Sequence, residues 1–207
     1  MENKVGTGKA YASKKSEKER PESDFYSTPV SLTWELLKLP IIKNINTVLE
    51  PACGGNAISD ELIKADKIVV STDIRTGTDF LNTNKFDINF DAVITNPPFS
   101  LFDKFVTHAK EVAPIVIMIA KTNFFGAYQR NVNGIWHDLS HVYIFNRQVD
   151  YRSPYRDDGL FHVGNLITGW FVWQKEWSDT HGEVWETSII DVQKYATLGQ
   201  IKEIIND

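Results

Sequence analysis

The chain has 207 residues, but only one cysteine and two methionines. A lone thiol, Cys53, excludes an internal disulfide and argues against a zinc centre, so a reducing cytoplasm is the expected setting. No run approaches the roughly 18 apolar residues that cross a bilayer. The N-terminus also lacks the apolar core of a secretory signal, and no membrane partner is expected. There is no internal repeat and no low-complexity stretch. A full G-x-G-x-x-G is missing too, which makes a dinucleotide a poor candidate ligand. His108, His137, His141, His162 and His181 show no metal-ligand spacing, so they read as packing or surface residues and no metal is expected.

Positive charge is scarce as well. The formal net charge is -5, awkward for a protein that would bind phosphates, because that needs local Lys and Arg. The cations are nevertheless segregated. Lys9, Lys14, Lys15, Lys18 and Arg20 crowd the N-terminus, and Arg147, Arg152 and Arg156 sit among Tyr143, Tyr151 and Tyr155. The 42% hydrophobic and 24% charged content is that of a globular domain. Residues 1–22 are polar and aperiodic, and read as a disordered basic arm. The remainder, 23–207, reads as one domain.

Short apolar runs alternate with helical stretches. Val30, Trp34 and Leu37 fall at i, i+4 and i+7 of a helix that ends near Pro40. Strands are expected at Ile45–Leu49, Ile68–Thr72, Asp91–Thr95, Ile115–Ala120, His141–Phe145 and Ile167–Gln174, and a helix at Asn56–Ala65. Ser100 with Asp103 reads as a capping box for a helix presenting Phe102, Phe105, Val106 and Ala109 on one face. The tail from Ile189 to Ile205 reads as strand then helix. Such alternation implies an α/β fold, a doubly wound and mostly parallel sheet. Little helix separates the strands at His141 and Ile167, which suggests an antiparallel edge. Trp170 and Trp173 read as packing residues.

Two stretches carry chemistry. Glu50-Pro51-Ala52-Cys53-Gly54-Gly55-Asn56 lies between a strand and a helix, where glycines allow a tight turn and close approach to a ligand. The next strand ends at Asp73, placed to accept hydrogen bonds from a ribose diol at the carboxyl edge of the sheet. On these residues alone a structural turn with a solvated Asp stays open. Asn96-Pro97-Pro98-Phe99 is more specific. The prolines remove two backbone donors, Asn96 adds a side-chain acceptor, and Phe99 offers a flat face. Together they suit a planar aromatic amine, whose delocalised lone pair makes it a poor nucleophile. Acceptors on its N–H groups favour a more tetrahedral nitrogen, so rate would come from alignment and electrostatics.

From about Tyr26 to Gln174 the chain resembles the amino-methyltransferases, most closely DNA adenine-N6 methyltransferases of bacterial and phage type. Asn96-Pro97-Pro98-Phe99 is similar to their [DNS]-P-P-[YFW] catalytic motif. Glu50-Pro51-Ala52-Cys53-Gly54-Gly55 resembles their E-P-x-x-G cofactor turn. The resemblance implies a seven-stranded Rossmann-like sheet with an antiparallel last strand, and S-adenosylmethionine as cofactor. Tyr26-Ser27-Thr28-Pro29 would hold its methionine end, Asp73 its ribose, and Asp79-Phe80 its adenine. Arg147-Gln148-Val149-Asp150-Tyr151 resembles an R-x-x-F stretch with Tyr for Phe. Asn96 to Phe99 would act on a flipped adenine stacked on Phe99. Lys121, Asn123 and Arg130 would line one side and Arg147, Arg152 and Arg156 the other.

About sixteen residues separate Phe80 from Asn96, too few for an inserted recognition domain. Target recognition would then fall to loops at Lys121–Trp136 and Asp150–Gly164. Three alternatives stay open: RNA (adenine N6 or guanine N2), a protein glutamine side chain, and a non-catalytic partner subunit.

Overall fold

The computed structural model describes residues 28–83, 85–151, 163–182 and 184–192. Seven strands form one sheet: β1 (Thr47–Glu50), β2 (Ile68–Ser71), β3 (Ala92–Thr95), β4 (Ile115–Lys121), β5 (Leu139–Val149), β6 (Val163–Gln174) and β7 (Glu186–Ile190). Their order across the sheet is β2-β1-β3-β4-β6-β5-β7. β1 pairs in parallel with both β2 and β3, and β3 with β4.

The described residues include five α-helices: α1 (Val30–Leu37), which precedes the sheet, then α2 (Ser59–Lys64), α3 (Phe102–Val112), α4 (Tyr128–Val132) and α5 (Trp177–His181). The period-2 alternation of the strands splits the core in two. Val48, Ala92, Ile94, Ile117, Ile119, Trp170 and Val172 pack with Leu32 and Leu36 of α1 and Leu62 of α2. Leu49, Val93, Val116, Met118, Phe171 and Trp173 face the other way, onto Phe102, Phe105, Val106 and Ala109 of α3. The sheet is therefore wound on both faces, and the α3 stripe is the one its spacing implied.

Trp170 donates through Nε1 to Leu32 O at 2.9 Å, and Trp173 to Ile135 O at 2.9 Å. Both indoles are buried, which is the packing role expected of them.

Several boundaries differ from expectation. α2 starts at Ser59 rather than Asn56, because Asn56 adopts φ +63° and a left-handed residue cannot enter a right-handed helix. Leu101, not Ser100, is the N-cap residue of α3. Asp103 instead accepts Arg130 Nε at 2.5 Å. In α1 the buried stripe is Leu32 and Leu36 rather than Val30, Trp34 and Leu37. Trp34 reaches sideways, its Nε1 donating to Glu61 of α2.

The reversed strand is β6, the one expected from Ile167, but it is not at an edge. It lies between β4 and β5, antiparallel to both. β7 follows it and pairs in parallel with the outer side of β5, so the sheet's edge is a strand whose residues are mostly exposed. No helix among the described residues is long and apolar enough to cross a membrane.

Candidate active site

The chain runs from β1 outward to β2, then returns past β1 to β3. Strand order reverses between β1 and β3, and open α/β sheets bind ligands at the carboxyl ends of strands at such a point. Three segments meet there: the turn after β1, the end of β2, and the tetrad after β3.

Glu50, the last residue of β1, is 1% exposed. One carboxylate oxygen accepts the Ser59 N–H at 2.8 Å and the Ser59 hydroxyl. Ser59 Oγ in turn lies 2.5 Å from Ser71 Oγ at the end of β2. Burial pushes the Glu50 carboxyl up to about 8, against the opposing pull of the Ser59 hydrogen bonds. Near neutral pH it therefore holds its proton. The chain then turns with Gly54 at φ +56°, a conformation glycine adopts without steric cost. The Cys53 N–H closes the turn onto Thr72 O at 3.0 Å, and burial raises the Cys53 thiol above its ordinary range. A protonated thiol fits a packed residue rather than a nucleophile.

Asp73 joins the turn after β1 to the end of β2. Its Oδ2 accepts the Gly54 N–H at 2.9 Å, and its Oδ1 accepts both the N–H and Nε of Arg75 at 2.9 Å. Desolvation pushes the Asp73 carboxyl up, but the Arg75 and Gly54 hydrogen bonds together hold it below the usual range. Arg75 is a residue the motifs did not point to. Its only signal in the sequence was a cation two residues past a strand-end acid.

Asp79 caps the short 3-10 turn Phe80–Asn82, accepting the Leu81 N–H at 3.1 Å and Asn82 Nδ2 at 2.5 Å. Phe80 is buried, its ring 4.7 Å from the His108 ring centroid and 5.2 Å from that of Phe105.

The tetrad completes the site. Asn96 follows β3, and its Nδ2 donates to Thr28 Oγ1 at 3.1 Å. That assignment leaves Oδ1 as the amide's acceptor. Thr28, Glu50, Pro51, Ala52, Gly54, Asp73, Asp79, Phe80, Asn96 and Pro98 all line one cleft. Cys53, Arg75 and the apolar Ile58, Ile74, Leu81 and Phe105 line it too. Eight of the residues expected from sequence to hold the cofactor (Thr28, Glu50, Pro51, Ala52, Gly54, Asp73, Asp79 and Phe80) thus share a single pocket with Asn96. Pro29 does not line it; it is the buried N-cap of α1.

Phe99 lies beyond the cleft in an aromatic cluster. Its ring meets those of Phe124 and Tyr151 edge-on, each at 6.0 Å. Lys121 Nζ stands 4.5 Å over the Phe99 ring, and Arg130 Cζ 4.0 Å over Phe124. Lys121 and Arg130 therefore gather beside Phe99, whereas Asn123 is exposed. Phe124 was not singled out by sequence, since no motif contains it. Tyr151 is buried, its hydroxyl 2.7 Å from Thr168 Oγ1, and burial holds that hydroxyl protonated. Arg147 is half-buried in an irregular stretch of β5, its Nε without a hydrogen-bond partner among the described residues. Tyr26, Arg152 and Arg156 lie outside the described residues.

No protein-family model matches this chain, and no curated protein does. Solved structures do. A methyltransferase subunit of a type I restriction-modification system from Streptococcus thermophilus aligns at 12% identity and TM-score 0.51, over 88% of this chain and 52% of that one. A candidate RNA methyltransferase from Pyrococcus horikoshii aligns at 16% identity and TM-score 0.51, over 76% of this chain and 89% of the other. The chain thus spans about half of the Streptococcus subunit. At these identities the likeness is one of fold, and the fold is the Rossmann-like sheet those methyltransferases share.

Proposed function

We propose that this chain is an S-adenosylmethionine-dependent methyltransferase acting on N6 of adenine in DNA. One observation carries the reading: Asn96-Pro97-Pro98-Phe99 stands at the carboxyl end of β3, with Asn96 and Pro98 lining the same cleft as Asp73 and the Gly54 turn.

The cleft's groups fit the cofactor. Asp73 is an ionised acceptor held on a glycine N–H, in a place suited to a ribose diol. Ile74, Leu81, Phe80 and Phe105 offer an apolar slot for an adenine ring. Thr28 and Glu50 border the turn where a methionine tail would lie. When bound, the sulfonium supplies an electrophilic methyl group. The chain's own residues do the rest. Asn96 Oδ1 and the carbonyl before the prolines accept the two N–H groups of the target amine, turning its lone pair toward the cleft. Phe99 stacks on the ring and fixes its plane. Neither acceptor needs to act as a strong base, because alignment supplies most of the rate.

The wider setting supports a nucleic acid. Lys121 and Arg130 gather beside Phe99, and the Streptococcus neighbour's name places it in a restriction-modification system. The test uses methyl-tritiated S-adenosylmethionine with unmethylated duplex DNA, RNA and total protein in parallel, followed by hydrolysis and identification of the labelled product. Label in N6-methyldeoxyadenosine is expected. Label in N4-methyldeoxycytidine would keep the chemistry and change the base. Label only in RNA or in glutamine would move the substrate, and none anywhere would overturn the enzyme.

A further inference from the structure

Resting on the DNA reading, we propose that the exposed face of α4 is the surface that opens the duplex, with Tyr128 as the wedge that occupies the space vacated by the target base.

The segment from Lys121 to Trp136 has two faces. Its inner face is anchored to the site. Phe124 packs 5.0 Å from Phe102, Phe125 packs 4.6 Å from Trp136, and Arg130 is tied to Asp103 at 2.5 Å. Its outer face is apolar and uncovered: Tyr128 is 78% exposed and Val132 59%. Those two residues are i and i+4, so they share one side of α4, whereas Arg130 at i+2 points away from it. A single exposed apolar residue needs no explanation. Two on one face, carried on a rim braced against Phe99's cluster, call for an occupant.

Side-chain chemistry names the occupant. Residues 121–136 contain no acidic residue, and their two cations, Lys121 and Arg130, are held on the inner side against Phe99 and Asp103. Asn123, Gln129, Asn131 and Asn133 supply four side-chain amides in the same stretch, the groups that read base edges bidentately. A surface without acids, offering amides and an aromatic tip, suits stacked bases between phosphates. An aromatic or aliphatic side chain inserted at a base step offsets lost stacking, and an enzyme that extrudes a base meets that cost on every turnover. Continuity with Phe99 fixes where the wedge would act.

The experiment compares full-length wild type, Tyr128→Ala and Tyr128→Phe on two short duplexes carrying the mapped target. In one the target adenine is paired; in the other it faces an abasic position and is already unpaired. Because Tyr128 is exposed, unchanged thermal melting and cofactor binding are expected for both variants. Tyr128→Ala is expected to lose tenfold or more in kcat/KM on the paired duplex and to recover to near the wild-type rate on the abasic one. Tyr128→Phe is expected to match wild type on both. An equal loss on the two duplexes, or no loss on the paired one, overturns the wedge while leaving the enzyme intact. A wild type that labels no DNA adenine, or only RNA, overturns the DNA reading and this inference with it.

Discussion

Asn96 Nδ2 donates to Thr28 Oγ1 at 3.1 Å, joining residues 68 positions apart. Thr28 precedes α1 and Asn96 follows β3, so the contact sets which face of the amide presents its carbonyl to the cleft. Thr28→Val keeps the shape and removes the acceptor. We expect kcat at saturating cofactor to fall up to about tenfold, the worth of one hydrogen bond. Asn96→Ala should abolish transfer and still bind cofactor, because the cofactor cleft is built mainly from other residues. Single-turnover kinetics with calorimetry separates the two. Wild-type transfer by Asn96→Ala would remove that residue from catalysis.

Asp73 presents the opposite expectation. It holds the Gly54 N–H and Arg75 together at the cleft wall, and both its bonds and its ionised state serve binding rather than transfer. Asp73→Ala should weaken cofactor binding by tenfold or more and affect rate at saturating cofactor far less. Calorimetric titration of the variant checks this. Unchanged affinity would take the ribose role from Asp73.

Much of this arrangement was legible in the chain because its signals are local. Ile115–Ala120 reads as a central strand because both of its faces are buried, which leaves an unbroken apolar run. The Glu50–Asn56 turn and Asn96–Phe99 tetrad announce themselves by residues that restrict the backbone. What escaped detection depends on distant partners. β7 was expected only from Ile189, but it begins at Glu186; four of its five residues are exposed, so no apolar pattern marks its start, and its pairing with β5 joins residues 45 apart. Phe124 enters the site only because β4 ends beside the tetrad. Ser100 looked like a cap by spacing, but Leu101 N–H bonds to Pro98 O at 2.9 Å instead, because the double proline already shapes that turn.

Glu50 makes the fold pH-sensitive in a stated direction. Its native carboxyl keeps a proton to about pH 8, against an ordinary value of 4.5. Between those values the native state binds more protons than the unfolded chain, so stability falls as pH rises. The slope from this group is on the order of 1 kcal/mol per pH unit. Glu50→Gln, neutral and of the same shape, should flatten it. Urea midpoints measured from pH 5 to 8 for both proteins decide the point, and parallel curves would show that Glu50 is ionised throughout.

Gly169 lies on β6 where the antiparallel partner β5 packs closely against it. A Cβ there would meet Tyr143 O at 2.3 Å and Tyr143 C at 2.9 Å, both backbone atoms. Neither can swing aside, so Gly169→Ala should cost about 1–3 kcal/mol or more. Gly126 is the control, since its Cβ would meet nothing within 4 Å. Gly126→Ala should be neutral or slightly stabilising. Equal denaturation midpoints for the two variants would mean that β5 and β6 are less tightly apposed than described.

Arg147 sets stability against function. Its Nε is buried and lacks a hydrogen-bond partner among the described residues, and an unsatisfied buried donor costs about 1–3 kcal/mol. Arg147→Met keeps the apolar stem and removes that donor, so the melting temperature should stay level or rise. If the guanidinium meets a DNA phosphate, the same variant should bind all duplexes more weakly and lower the salt dependence of binding by about one unit of slope. Titrations at several salt concentrations measure that slope directly. A stabilised variant with wild-type affinity and slope would leave Arg147 outside the DNA interface. A destabilised one would mean its guanidinium is satisfied in solution after all.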